Sequence, residues 1–275
     1  MNPSDIPLFE TIRAVALDVD GTIAGSDHIV SPRTEQAMER LVESGIPVIL
    51  LTGRSRQNTL ELAGAAHIIN QVVSCNGAVI FDPVSNLDTR VQAMSDRDVA
   101  TFFALREELG LEITWWTSDA IFVTHDGECR RMLIELNDTK VAIADPSFIE
   151  PGTVVKMMLF GSEARLDEVS DIIQAATPGA TRSMYCFFEF VDADATKWVA
   201  LKYLLDEFGI DPKTCLGIGD GGNDVIWLKN IGFPFAMGNA RAEVVQATRG
   251  QIGHHDDEAA AELLESALVA SLAHR

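Results

Sequence analysis

Residues 14–22, A-V-A-L-D-V-D-G-T, constrain this chain more than any other stretch. Ala14, Val15, Ala16 and Leu17 form a short continuous apolar run, the pattern of a strand buried on both faces of a parallel sheet. The run ends in acid. On an extended chain Asp18 and Asp20 project to the same side, and Gly21 then lets the backbone turn sharply away. Two carboxylates held so close repel unless something positive lies between them. A divalent cation is the economical solution, leaving one carboxylate free as a nucleophile and the other as a proton carrier. Alone, D-x-D-G fits a solvated loop equally well; the rest of the chain decides.

Downstream, the spacing predicts a helix capped by Ser31, with Pro32 as its first residue, Ala37, Met38, Leu41 and Val42 as its apolar stripe, and Gly45 as its stop. Residues 46–51 then form a second strand. Strand, helix and strand in this order make a right-handed crossover, bringing Thr52, Gly53 and Arg54 to the sheet edge that holds Asp18. A helix over 55–65 and an apolar run over 68–74 lead to C-N-G-A, where Asn76-Gly77 reads first as a tight hairpin turn. From 83 the texture changes: short strands, with helices at 95–108 and 163–175, indicate an inserted α+β module. Trp115 and Trp116, adjacent on a strand, face opposite ways, one into a core and the other toward solvent or a partner.

Phe187, Phe188 and Phe190 mark a strand that runs toward a helix beginning at Lys197. In that helix Val199, Ala200, Tyr203 and Leu204 share one side, and Gly209 ends it. Residues 214–218 read as a strand, and the glycine-rich turn 219–222 opens a helix whose first amides face an anion. Asp220, Asn223 and Asp224 lie beside that turn. A tight connection explains the glycines but not an acid at both 220 and 224. A strand over 233–237, a helix starting at 238–240 and a terminal helix over 257–272 complete the chain. His254, His255, Asp256 and Asp257 read as a solvated helix entrance in preference to a metal cluster.

The 275 residues carry 41 acidic and 21 basic side chains, a net charge of −20. Such a field disfavours nucleic acid and anionic membrane as partners. It also opposes phosphate-bearing substrates, so a phosphate site here needs a metal and a local lysine to reverse the sign. Cys75, Cys129, Cys186 and Cys215 form no C-x-x-C and are expected to be reduced thiols. No basic-then-apolar leader or membrane-length apolar run is present, which suits a cytoplasmic protein whose first ten residues are a flexible leader.

Together these pieces resemble the haloacid dehalogenase-like (HAD) phosphohydrolases, and within them the Cof-type branch, subclass IIB. D-V-D-G-T at 18–22 is similar to the family's first motif, L-L-T-G-R at 50–54 to the second, Lys197 to the third and G-D-G-G-N-D at 219–224 to the fourth. C-N-G-A at 75–78 and A-M-G-N-A at 236–240 also resemble that branch. The chain departs from the pattern with Trp198 for the glycine after the motif lysine, Thr196 for the preceding serine, and Ala259, Ala260 and Ala261 near the C-terminus. None removes a group the chemistry needs.

The resemblance implies an α/β fold: a Rossmann-like parallel-sheet core over 1–82 and 189–275, with an α+β cap of type C2 over 83–188. It implies Asp18 as the nucleophile that takes up phosphorus, and Asp20 as general acid and base, protonated when substrate binds. Thr52, Gly53, Lys197 and Asn223 would contact the phosphoryl group. Mg2+ would be held by Asp18, the Asp20 carbonyl and Asp220, with Asp224 either reaching it through water or orienting Lys197; Arg54 is expected in a structural or cap-facing ion pair. The substrate implied is a small phosphorylated metabolite, typically a sugar phosphate, and the assembly a monomer or small homo-oligomer. A phosphomutase on the same core and a non-catalytic phosphate-ligand binding protein are the alternatives.

Overall fold

The apolar run becomes β1 (Ala14–Leu17), all four residues of which are buried. The computed structural model describes residues 11–136 and 141–272; the expected leader over residues 1–10 lies outside these. After β1 come α1 (Pro32–Glu43), β2 (Val48–Leu50), α2 (Arg56–Ala65), β3 (Val72–Ser74), β4 (Val79–Asp82) and β5 (Leu87–Val91). Then follow α3 (Asp96–Leu109), β6 (Glu112–Trp116), β7 (Ile121–Val123), α4 (Glu128–Glu135), β8 (Val141–Ile143), β9 (Lys156–Phe160), α5 (Glu163–Ala176), β10 (Thr181–Met184) and β11 (Phe187–Val191). The chain finishes with α6 (Lys197–Glu207), β12 (Cys215–Gly219), α7 (Val225–Lys229), β13 (Phe233–Ala236), α8 (Ala242–Ala247), β14 (Gly250–Gln251) and α9 (Ala259–Leu272).

Five of these strands form a parallel sheet in the order β14-β13-β12-β1-β2. Alternate strand residues serve opposite faces. Val15, Leu17, Val48, Leu50, Leu216 and Ile218 join Met38, Leu41, Leu264 and Leu268 in one core. Ala14, Ala16, Ile49 and Cys215 join Leu201, Leu204, Trp227 and Leu228 in the other. This double burial explains why β1 is apolar without alternation. The helix starts follow local rules: Ser31, Ser55 and Thr196 cap α1, α2 and α6, each accepting from the backbone N–H three residues on.

A six-stranded sheet in the order β10-β11-β9-β6-β7-β8 forms a second layer, and β3-β4-β5 a small antiparallel ribbon. β5 remains bonded to β4, and β11 extends the six-stranded sheet to Val191. One face of the six-stranded sheet, with Ile113, Trp115, Met157, Leu159 and Phe188, packs on α3 and α5 residues Phe102, Leu105, Leu166 and Ile173.

Neither tryptophan faces solvent. Trp115 stacks on Phe122 with centroids 5.6 Å apart, and Trp116 is 3% exposed on the opposite face. The expectation of an exposed tryptophan is corrected because both faces of that sheet are covered. The helix expected at 238–240 is also corrected: it starts at Ala242, because the backbone is still extended at Arg241 (φ −62°, ψ 152°), and Asn239 lies before it with its Nδ2 donating to the Gly21 carbonyl. Trp198 is half-buried against the second core, behind the lysine it follows.

Candidate active site

Parallel register brings the ends of β1, β2 and β12 to one edge, with Leu17 opposite both Leu50 and Ile218. Asp18, Thr52 and Asp220 leave the sheet there, at the point where strand order reverses, the usual place for a site in such sheets. Asp18 is 6% exposed. Its Oδ1 accepts from Lys197 Nζ at 2.5 Å and its Oδ2 from the Thr22 hydroxyl at 2.9 Å. Lys197, 2% exposed as the first residue of α6, also donates to Asp224 Oδ1 at 2.7 Å. Lys197 is therefore a buried residue of the site and not a solvated one.

Asp18, Asp220 and Asp224 each offer an oxygen within 4.8 Å of the others. Three carboxylates against one ammonium leave two negative charges uncompensated when all are ionised. Burial pushes the Asp18 carboxyl well above the ordinary carboxylate range; repulsion from Asp224 adds to it, and the pull of Lys197 does not cancel the effect. Asp220 is raised by burial and by Asp224. Burial alone would lower Lys197, yet Asp18 and Asp224 hold it above the usual lysine value. Burial is the largest influence on each of the three; the crowding of acids around one lysine adds to the rise of Asp18 and Asp220 and reverses the fall of Lys197.

Both oxygens of Asp224 are engaged by protein donors. Oδ1 takes Lys197 and Trp227 Nε1, and Oδ2 takes the backbone N–H groups of Asp220 and Gly221 at 3.1 and 2.9 Å. The side chain therefore fixes the glycine-rich turn and the lysine together. Asp220 is left the freer acid, touched by Thr22 at 3.4 Å and by Asn239 Nδ2 at 3.3 Å. Gly21 makes room for it: with φ of +78°, a Cβ there would lie 2.6 Å from Asp220 Oδ2.

Asp20 stands apart from this cluster. It is more exposed, and Arg54 grips it through Nε at 3.0 Å and Nη2 at 2.7 Å, with His28 Nδ1 3.4 Å away. Burial pushes its carboxyl up, but the hydrogen bonds and charge of Arg54, with His28, outweigh that and hold it below the usual range. In this arrangement Arg54 favours the ionised form of Asp20. The reason is the parallel register: the loop after β2, which carries Arg54, meets the loop after β1, which carries Asp20, at one sheet edge. Arg54 thus forms an ion pair with Asp20.

Thr52 is buried, and its Oγ1 accepts from Arg54 N at 3.0 Å. It is not the cap of α2, a role Ser55 fills. Gly53 lies between them, its carbonyl accepting from Lys156 Nζ at 3.2 Å. Asn223 is exposed and donates to Asn76 Oδ1 at 3.3 Å. The C-N-G segment is indeed a tight connection, with Cys75, Asn76 and Gly77 at φ of 50°, 59° and 113°. It also places Asn76 in the site. Sequence reasoning passed over Thr22, Asn76 and Asn239 as site residues, though each stands inside a quoted motif. The entrance to α9 is a tie as well as a solvated turn, because Asp256 accepts from the Ser26 N–H and hydroxyl at 2.8 Å each.

A family model described as haloacid dehalogenase-like hydrolase matches residues 15–264. A "Putative phosphatase" of Haemophilus influenzae is 27% identical over 259 residues, covering 92% of this chain and 97% of its own. A haloacid dehalogenase-like hydrolase from Bacteroides thetaiotaomicron superposes with a TM-score of 0.83 at 24% identity, covering 92% of this chain and 98% of that one. A solved sugar phosphatase of HAD subclass IIB gives 0.79 at 22% identity, with 92% and 98% covered.

Proposed function

The chain belongs to the haloacid dehalogenase-like hydrolase family, and from that premise we propose that it is a Mg2+-dependent phosphomonoesterase acting on a small phosphorylated metabolite, a sugar phosphate by preference. The observation that carries this reading is the buried Asp18 carboxylate, held 2.5 Å from Lys197 at the end of β1, with Asp220 and Asp224 beside it.

The residues fit a divalent cation. The cluster carries an excess of negative charge, and its donors are the hard oxygens such an ion prefers. Asp18, Asp220 and the Asp20 carbonyl would hold Mg2+, which when bound offsets the charge of the incoming phosphoryl group.

A carboxylate oxygen of Asp18 attacks phosphorus, the P–O bond to the alcohol breaks, and Asp20 gives its proton to the leaving oxygen. Water then attacks phosphorus, Asp20 takes back a proton, and phosphate leaves with the Asp18 carboxylate restored. Lys197 and Thr52 stabilise the phosphoryl oxygens, with Gly53 and Asn223 in the surrounding loops, and Asp224 holds Lys197 in place. For Asp20 to serve as the acid it must exchange Arg54 for the leaving group. A cap over 83–188 would exclude water and select that group.

Phosphate release from p-nitrophenyl phosphate and a panel of sugar phosphates, with and without EDTA, tests the reading. Turnover that requires Mg2+ and vanishes in Asp18→Asn is expected. Metal-independent turnover, turnover surviving Asp18→Asn, or an isomerised product in place of free phosphate would refute it.

A further inference from the structure

The face of the six-stranded sheet opposite α3 and α5 carries Trp116, Met158, Phe160 and Phe187, all buried in the main core. In this apolar surface sit two charged residues. Lys156, with its side chain 4% exposed, pairs with Glu189, 13% exposed, at 2.9 Å, and its ammonium lies 4.4 Å above the Trp116 ring. Packing does not require charge at these positions, since an apolar pair of similar volume is commonly as stable as a buried ion pair or more so.

The pair touches the core in two places only steps from the phosphoryl site. Lys156 Nζ donates to the Gly53 carbonyl at 3.2 Å, one residue after Thr52. Glu189 Oε1 accepts from Asn76 Nδ2 at 2.5 Å, and the same amide accepts from Asn223. A carbonyl oxygen facing an ammonium, and an N–H facing a carboxylate, are the two halves of what a hydroxyl offers. Neighbouring hydroxyls of a polyol would supply both, and the face of Trp116 suits the C–H side of such a molecule.

We propose that Lys156 and Glu189 are the specificity-determining pair of the six-stranded layer, binding the alcohol portion of the substrate through its hydroxyls. This assignment rests on the phosphomonoesterase reading and narrows it. The ammonium and carboxylate cancel, so the subsite takes a neutral polyhydroxylated leaving group. A leaving group bearing its own carboxylate meets Glu189 and is rejected.

The test compares three esters in the full-length enzyme with Mg2+: a hexose 6-phosphate, p-nitrophenyl phosphate and phosphoglycolate. Lys156→Met and Glu189→Gln are each expected to lower kcat/KM for the hexose phosphate about 10- to 100-fold, mainly through KM. Turnover of p-nitrophenyl phosphate, which offers no hydroxyls and also reports on folding, stays within about threefold. Glu189→Gln is expected to improve phosphoglycolate relative to the hexose ester. A parallel fall on all three esters would mean the pair only braces the structure, and unchanged hexose phosphate kinetics would mean it does not touch substrate; either overturns the assignment while leaving the phosphatase reading intact. Wild-type protein that releases phosphate from none of the three overturns both.

Discussion

Asp18 is held in an energetically unfavourable state that the proposed chemistry would use. A carboxyl whose folded-state pKa lies above its unfolded value binds its proton more tightly when folded. Without metal, its contribution to stability therefore grows as pH falls through the folded pKa toward the unfolded one. Asp18→Asn removes that dependence. In EDTA near neutral pH the variant is expected to melt about 2–4 °C above the wild type, a gap that closes on acidification, while releasing no phosphate; thermal melts across pH check it. Asp20 has the opposite sign, because Arg54 favours its ionised form. Arg54→Met removes the main pull downward, so the Asp20 pKa rises and its protonated form persists to higher pH. The basic limb of the kcat/KM profile for an alkyl phosphate should then move upward in pH, with little change for p-nitrophenyl phosphate, whose leaving group needs no proton.

At the scale of elements, the site depends on how closely loops approach. Gly77, at φ +113°, lies so near the cap of α6 that a Cβ there would stand 2.4 Å from the Thr196 carbonyl. Gly77→Ala should cost about 1–3 kcal/mol and lower kcat, because the residue it pushes precedes Lys197. Gly110→Ala, at φ +64° with nothing within 4 Å, should cost about 1–2 kcal/mol and leave kcat unchanged. Urea unfolding with assays of both variants separates the two effects.

The same scale shows what was legible in advance. The double-sided strand, the Ser31-Pro32 start of α1 and the gathering of Asp18, Thr52 and Asp220 at one edge follow from apolar runs and caps, which are local signals. The Arg54 grip on Asp20 and the burial of Trp116 are products of long-range packing, and no periodicity encodes them. Asn239 looked like a helix start because the chain does not announce that its amide will be used 218 residues away, on the Gly21 carbonyl.

For the whole molecule, the net charge of −20 and the crowded acids predict a strong response to a divalent cation. Mg2+ at about a hundred times its dissociation constant should stabilise the protein by about 2.7 kcal/mol. Asp220→Asn should abolish most of that gain, while monovalent salt at equal ionic strength should not reproduce it. Melting curves with Mg2+, EDTA or NaCl check this. Among the described residues no helix is long and apolar enough to cross a membrane.

The path into the six-stranded layer leaves after β5 and returns after β11, and the two crossings meet where Gln92 Nε2 donates to Asp192 Oδ1 at 3.2 Å. Entry and exit thus share one doorway. A foreign module whose two ends lie equally close together could be spliced there without rethreading the parallel frame, so on the proposed role of that layer a change of substrate would ask for a new cartridge and not a new machine.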